Sequence, residues 1–426
     1  PLNWTYYAQP RAAIRLIPSG GLVRGGSRVT IEGEGFDAFP GIGAAGVRVR
    51  WGDDAHDAAN LTTPISIDDT QIVVDSAGAP TTGPRQLALA LNGEDLLDLD
   101  ASFVYYEQPS EVHGLEPMGG PTLGGTAVTI NGSGFDVFAV DAADVRCSFG
   151  TYSASALALS AGRIVCVTPP AAIAAVVTVA IAFNGAHSDL VQIPPTFQYY
   201  LQPAAATPAS AAVAPAALAA TAPAFSSLFP LGGPREGGTR VTIHAAGLHA
   251  FNGRRDFKSC RWTPQTAAGA PSQAVSEGAA ETLSDDAIVC VSPPAPSVAA
   301  LAAAPVSISV SVSLNGLDFG ETGFTFEYYS SPTVNTLTPS GGPRTGGTLV
   351  TLTGTGLDAL LGGAHASCQF GADTSAAYNP WLTISKPTLV AHDRLVCASP
   401  PASLVDTREV WLALNGLIMS AGRAEQ

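Results

Sequence analysis

The side chains with the most defined chemistry are six cysteines: Cys147, Cys166, Cys260, Cys290, Cys368 and Cys397. They fall two to a repeat in three successive repeats. The first of each pair lies in a strand-like phrase: Arg146-Cys147-Ser148-Phe149, Ser259-Cys260-Arg261-Trp262 and Ser367-Cys368-Gln369-Phe370. The second precedes a Pro-Pro pair: Cys166-Val167-Thr168-Pro169-Pro170, Cys290-Val291-Ser292-Pro293-Pro294 and Cys397-Ala398-Ser399-Pro400-Pro401. An upstream repeat carries Val49 and Val74 at these two places. Both cysteines are absent together, as bonding partners are. The expected bridges are Cys147–Cys166, Cys260–Cys290 and Cys368–Cys397. Each closes a loop of about 20 to 30 residues, worth roughly 3 kcal/mol in a chain-entropy account. No Cys-x-x-Cys and no histidine accompanies the pairs, so zinc is not expected. Disulfides place the chain outside the cytosol, in the extracellular space or on the cell surface.

Asn3-Trp4-Thr5, Asn60-Leu61-Thr62 and Asn131-Gly132-Ser133 fit the N-glycosylation acceptor, so covalent glycans are expected. Asp53, Asp54, His56 and Asp57, with Asp68 and Asp69 beyond, read as a solvated acidic loop, because no Asp-x-Asp-x-Asp-Gly calcium pattern appears. The seven histidines are scattered and form no His-Glu-x-x-His or Ser/His/Asp arrangement. Gly341-Gly342-Pro343-Arg344 lacks the Gly-Lys-Ser/Thr of a phosphate loop and leads into a strand. No catalytic residue, metal or cofactor is expected, and the chain reads as a non-enzymatic protein.

The elements that hold these groups repeat. Pro18-Ser19-Gly20-Gly21 followed by Val29-Thr30-Ile31 returns at Pro117, Pro230 and Pro339, a period of roughly a hundred residues, which is one small domain per repeat. A Gly-x-Gly-Phe turn or its variant comes next, as in Gly33-Glu34-Gly35-Phe36. The two cysteine-bearing strands follow, then an alternating strand ending in Asn-Gly at Asn92, Asn184, Asn315 and Asn415, a strong hairpin signal. A closing strand reads Phe-x-Tyr-Tyr at Phe103, Phe197 and Phe326. Its tyrosine pairs alternate faces, so one ring is expected to pack and the other to be exposed. About seven short strands per repeat predict an antiparallel β-sandwich.

Pro-x-x-Gly-Gly-x-x-Val-Thr-Ile-x-Gly-x-Gly-Phe, then Cys-x-Phe-Gly, then Cys-x-(Thr/Ser)-Pro-Pro, resembles the IPT/TIG family of immunoglobulin-like domains over nearly the whole chain. The resemblance implies an all-β fold, tandem sandwiches in an extended rod, and a role as rod, spacer or protein-binding module. Domains are expected at 11–109, 110–202, 225–332 and 333–426. Residues 203–224, rich in Ala and Pro, form a semi-rigid linker. Its Ala-Pro and Thr-Pro pairs resemble O-glycosylated wall proteins, and a bare spacer explains them equally.

The two ends differ from the middle. Residues 1–10 contain Leu2, Trp4, Tyr6 and Tyr7 in the order of a closing strand (Trp4 matching Phe103, Tyr6 matching Tyr105), with no domain before them. The fourth repeat passes Leu414-Asn415-Gly416 without a Phe-x-Tyr-Tyr strand. In one reading the opening segment completes domain 4 of a neighbouring molecule, giving a head-to-tail homopolymer. In the other, the sequence is one stretch of a longer tandem array; it begins at Pro rather than Met.

The bulk charge narrows the partners. A net charge of −15, with 20 basic against 35 acidic residues, argues against nucleic acid and anionic membranes. The longest apolar run, Ala171 to Phe183, has 13 residues, against about 20 for a membrane helix, and its alternation predicts a strand. The expected function is a structural subunit of an extracellular filament. The alternative is the ectodomain of a surface adhesion protein or receptor that binds protein or carbohydrate.

Overall fold

A computed structural model describes residues 4–37, 43–52, 60–108, 111–135, 145–186, 189–205, 224–248, 251, 258–264, 276–296, 306–371, 384–402 and 407–417. Leu2, Asn3, the Asp53–Asp57 loop and most of the linker lie outside them. The chain divides into two compact units, residues 1–200 and 201–426. Each unit holds two sandwiches.

Alternation of β-branched and polar residues builds the strands. In Arg28–Glu34, Val29 and Ile31 point inward and are fully buried. This strand pairs antiparallel with Arg11–Ile17 on one side and with Gln71–Asp75 on the other, and Ser66–Ile67 completes the first sheet of domain 1. After Pro18 the chain crosses to the second sheet, whose order is Gly20–Leu22, Leu97–Tyr106, Gly83–Ala90, Arg48–Trp51, Leu61–Thr62. The short double-glycine strand Gly20–Leu22 runs parallel to the closing strand, with Gly21 opposite Tyr105.

Domains 2 and 3 repeat this plan. Their double-glycine strands Gly119–Pro121 and Gly232–Pro234 lie beside the closing strands Val191–Tyr200 and Phe319–Tyr329 in the same register. In domain 2, Tyr152–Ser160 pairs with both Arg146–Phe149 and Arg163–Val167 and so joins the two sheets into one eight-stranded sheet. The apolar run forms the strand Ala175–Ala182. Among the described residues no helix is long and apolar enough to cross a membrane.

The cysteines sit between the sheets. Cys147 joins Cys166, Cys260 joins Cys290 and Cys368 joins Cys397, with Cα atoms 6.4, 6.2 and 6.4 Å apart, inside the span a disulfide bridges without backbone distortion. All six are at most 1% exposed. In domain 1, Val49 and Val74 occupy the same two core positions, both fully buried.

The closing strands depart from the sequence expectation. Both tyrosines of each pair are buried, all six at 1% exposure. Strand alternation does turn them to opposite faces. In domains 1 and 3 the second face, however, meets the following domain rather than solvent. Tyr106 packs in the core of domain 2, its ring 6.2 Å from that of Phe183, and Tyr329 packs in the core of domain 4.

Candidate functional site

Domain 4 differs from the other three at one edge. Its first sheet is complete, in the order Thr333–Thr338, Leu349–Thr355, Arg394–Ala398, Pro387–Val390. Among the described residues its second sheet holds Ile384–Ser385, Ser367–Phe370 and Val410–Ala413. In domains 1 to 3 the strand equivalent to Val410–Ala413 pairs with a closing strand, which in turn pairs with the double-glycine strand. Among the described residues no strand pairs with the outer edge of Val410–Ala413. Gly341 and Gly342, which pair with no strand among the described residues, form no strand and are exposed, whereas their counterparts are buried.

The core beneath this edge is open. A cleft of about 370 Å³ is lined by Leu337, Gly342, Thr348, Phe370, Pro400 and Val410, among others. Leu337 and Phe370 are half-buried there. Their counterparts in the other domains, Leu16, Leu115 and Leu228, and Trp51, Phe149 and Trp262, are buried. What covers those counterparts is the Phe-x-Tyr of the closing strand. Trp51 meets Phe103 edge to face at 5.0 Å, Phe149 meets Phe197 at 5.2 Å, and Trp262 meets Phe326 at 5.3 Å. The first tyrosine then reaches across to a backbone carbonyl. Tyr105 donates its hydroxyl to Ala77 O at 2.7 Å, Tyr199 to Pro169 O at 2.9 Å and Tyr328 to Pro293 O at 2.5 Å. The matching carbonyl in domain 4 belongs to Pro400, which lines the cleft.

The opening segment has the complementary character. Residues 4–10 form no strand. Trp4 is 80% exposed and Tyr6 91% exposed, their rings 6.3 Å apart. Tyr7 instead packs against the core of domain 1, as Tyr106 packs against domain 2. Of the three aromatic positions of a closing strand, the one that serves the following domain is housed. The two that serve a preceding domain face solvent.

The joints between domains are polar as well as aromatic. At the joint of domains 1 and 2, Asn184 Nδ2 donates to Gly20 O at 2.8 Å and to Asp189 Oδ2 at 2.6 Å, while Ser27 Oγ donates to the same Asp189 oxygen at 2.5 Å. All three side chains are buried. Burial, and then the nearby Asp189 charge, hold the Tyr106 phenol far above its usual range. At the joint of domains 3 and 4, the Asn415-Gly416 turn lies beside Phe229, just ahead of the double glycine: a Cβ on Gly416 would lie 3.4 Å from the Phe229 ring, and it is Leu360 that approaches Gly232. Sequence reasoning missed Asp189. The available signal was an acid three to five positions after each of Asn92, Asn184 and Asn315.

The remaining candidates are placed as follows. Asn60 is half-buried beside Leu61–Thr62, and Asn131 is half-buried on the outward face of Ala127–Ser133. Asp68 accepts from the backbone N–H groups of Thr70 and Gln71, which lowers its carboxyl below the usual range and marks it as a turn residue. Among the described residues no group of three His, Cys, Asp or Glu could hold a metal ion.

Tandem immunoglobulin-like sandwiches, three of them bridged by disulfides, define an extracellular or cell-surface protein. The IPT/TIG domain model matches residues 109–199, 223–328 and 332–423, and the chain belongs to the IPT/TIG domain family. It is 27% identical to human (Homo sapiens) Plexin-A3 over 219 residues, which is 46% of this chain and 11% of the relative. The chain thus spans about a tenth of that relative's length. Among solved structures it is similar to the full extracellular region of Plexin A4, at 14% identity and TM-score 0.34, covering 93% of this chain and 36% of that one. It is also similar to the Escherichia coli adhesin FdeC, at 15% identity and TM-score 0.21, covering 77% and 100%.

Proposed function

We propose that the chain is a non-enzymatic structural subunit of an extracellular filament, in which residues 2–9 of one copy supply the closing strand of domain 4 in the next. The observation that carries this is the match between an open cleft and two exposed aromatics. Trp4 would meet Phe370 edge to face as Phe103 meets Trp51, and Tyr6 would donate to Pro400 O as Tyr105 does to Ala77 O. The three complete domains set the register: Gly341 opposite Thr5, Gly342 opposite Tyr6 and Pro343 opposite Tyr7, by analogy with Gly20, Gly21 and Leu22 opposite Val104, Tyr105 and Tyr106. Burying two aromatic side chains is worth roughly 1.5–3 kcal/mol each, and pairing an exposed edge removes a template for unwanted association. Such a contact joins different faces of identical copies and so continues rather than closes. N-linked glycans at Asn3, Asn60 and Asn131 belong to the same reading.

A second reading is favoured by the similarity to Plexin-A3: the chain is part of a surface receptor or adhesion ectodomain that binds protein or carbohydrate. Light scattering of the 426-residue protein against its variant lacking residues 1–9 separates the two. Concentration-dependent polymers lost on deletion support strand exchange. Monomers in both cases support the ectodomain.

A further inference from the structure

The joint between domains 1 and 2 provides a template for what surrounds an exchanged strand. In it, the preceding domain offers a glycine carbonyl, Gly20 O, and a buried hydroxyl, Ser27 Oγ. The following domain offers an asparagine and an acid from its Asn-Gly loop, Asn184 and Asp189. Domain 4 carries the same two groups of the preceding partner. Gly341 stands where Gly20 stands in the repeated Pro-x-Gly-Gly phrase, and Thr348 stands where Ser27 stands. Ser27, Thr126 and Thr239 are at most 2% exposed in the other domains, while Thr348 is half-buried at the open cleft.

Domain 1 carries the two groups of the following partner. Asn92 Nδ2 donates to Asp95 Oδ2 at 2.7 Å, and the Asn92 side-chain oxygen accepts from the backbone N–H groups of Glu94 and Asp95. The pair is therefore already set as Asn184 and Asp189 are set, at 2.6 Å. Asn184, Asn315 and Asn415 are all at most 9% exposed. Asn92 is the half-exposed member of the series, and Asp95 is exposed. At the joint of domains 3 and 4 the Asn415-Gly416 turn also lies against the preceding domain, beside Phe229, but Asn415 Nδ2 has no hydrogen-bond partner there among the described residues, so the latch geometry is read from the joint of domains 1 and 2.

We infer that domain 1 of one copy docks on domain 4 of the next through an Asn92–Asp95 latch, in which Asp95 accepts from the Thr348 hydroxyl and Asn92 Nδ2 donates to Gly341 O of the second copy. The partner is a second copy of this chain, and the inference rests on the strand-exchange reading. The latch selects the partner: a free aromatic peptide fills the cleft, but only a strand followed by domain 1 also satisfies Thr348 and Gly341. A hydrogen bond to a charged acceptor in a desolvated joint is worth more than a neutral one.

The test compares two assays. Sedimentation of the full chain reads copy-to-copy affinity. Binding of a synthetic peptide of residues 1–10 to the variant lacking residues 1–9 reads strand uptake alone. Asp95→Ala is expected to weaken full-chain association about tenfold or more and to leave peptide affinity unchanged, because the peptide brings no loop. Thr348→Val is expected to weaken full-chain association comparably, and the double variant to be little worse than either single one. Unchanged thermal unfolding checks that the variants fold. If Asp95→Ala associates like the parent while the peptide still binds, the latch is wrong and strand exchange stands. If the peptide does not bind and the parent does not associate, both fall.

Discussion

The Tyr105 hydroxyl donates to the Ala77 carbonyl at 2.7 Å across the top of the domain 1 core. The bond ties the closing strand to the segment after Gln71–Asp75, and so ties the last strand of the second sheet to the first sheet. Tyr199 and Tyr328 make the same tie in domains 2 and 3. Replacing Tyr105 by Phe keeps the packing and removes the donor, leaving a carbonyl to be satisfied otherwise. The expected loss is about 1 kcal/mol, read as a lower denaturant midpoint with an unchanged slope.

The same tyrosines give the protein an alkaline limit. Burial, with a smaller contribution from Tyr152, pushes the Tyr199 phenol up to about 12, and burial raises Tyr105 and Tyr328 further. An unfolded tyrosine ionises near pH 10. Above that value the unfolded chain has lost a proton that the folded chain still holds, so stability falls as pH rises. Below it the contribution is fully present. Stability is expected to decline between pH 10 and about 12, and absorbance at the tyrosinate band is expected to lag behind that of free tyrosine. Tyr199→Phe should shallow the decline; an unchanged slope would refute the assignment.

Much of this was legible in the sequence because the repeats act as internal controls. The cysteine phrases, the double glycines and the Asn-Gly turns are local, and each is read from adjacent residues. The fate of the second tyrosine was not legible. Alternation places Tyr106 on the outer face correctly, but its burial comes from Phe183 in the next domain. The joint itself links Ser27 to Asp189, positions 162 residues apart, and no local pattern announces such a pair. The open edge of domain 4 was legible as a missing phrase. That its core residues Leu337 and Phe370 are partly uncovered needed the structure.

Domain 1 offers a test of the cysteine reasoning in reverse. Val49 and Val74 fill the positions that Cys147 and Cys166 hold in domain 2, in strands with the same pairing partners: Arg48–Trp51 beside Gly83–Ala90, and Gln71–Asp75 beside Arg28–Glu34. The double variant Val49→Cys, Val74→Cys is expected to form a fourth bridge without moving either strand. It should stabilise domain 1 by about 2–3 kcal/mol under oxidising conditions, and a reductant should abolish the gain. Intact mass under non-reducing conditions and thermal unfolding check both points; two free thiols in the folded protein would show that the site geometry differs.

Glycine at the second position of the Pro-x-Gly-Gly phrase separates folding from assembly. A Cβ on Gly120 would strike Thr126 Oγ1 and stand 3.1 Å from the Phe197 ring, so both the hydroxyl and the aromatic must yield. In that closed core, Gly120→Ala is expected to cost roughly 1–3 kcal/mol through overpacking. A Cβ on Gly342 meets only the Thr348 side chain within the same range. Thr348 is half-buried beside the cleft and has room to turn, so Gly342→Ala should unfold close to the parent. The added methyl nevertheless occupies the space a closing-strand aromatic takes, since the corresponding Cβ on Gly233 would lie 2.9 Å from the Phe326 ring. Gly342→Ala is therefore expected to keep its melting temperature and to lose uptake of the 1–10 peptide, while Gly120→Ala loses stability and keeps uptake. A Gly342→Ala protein that binds the peptide as the parent does would mean that Trp4 does not seat over this glycine, and the register drawn from the three complete domains would not carry over to the fourth.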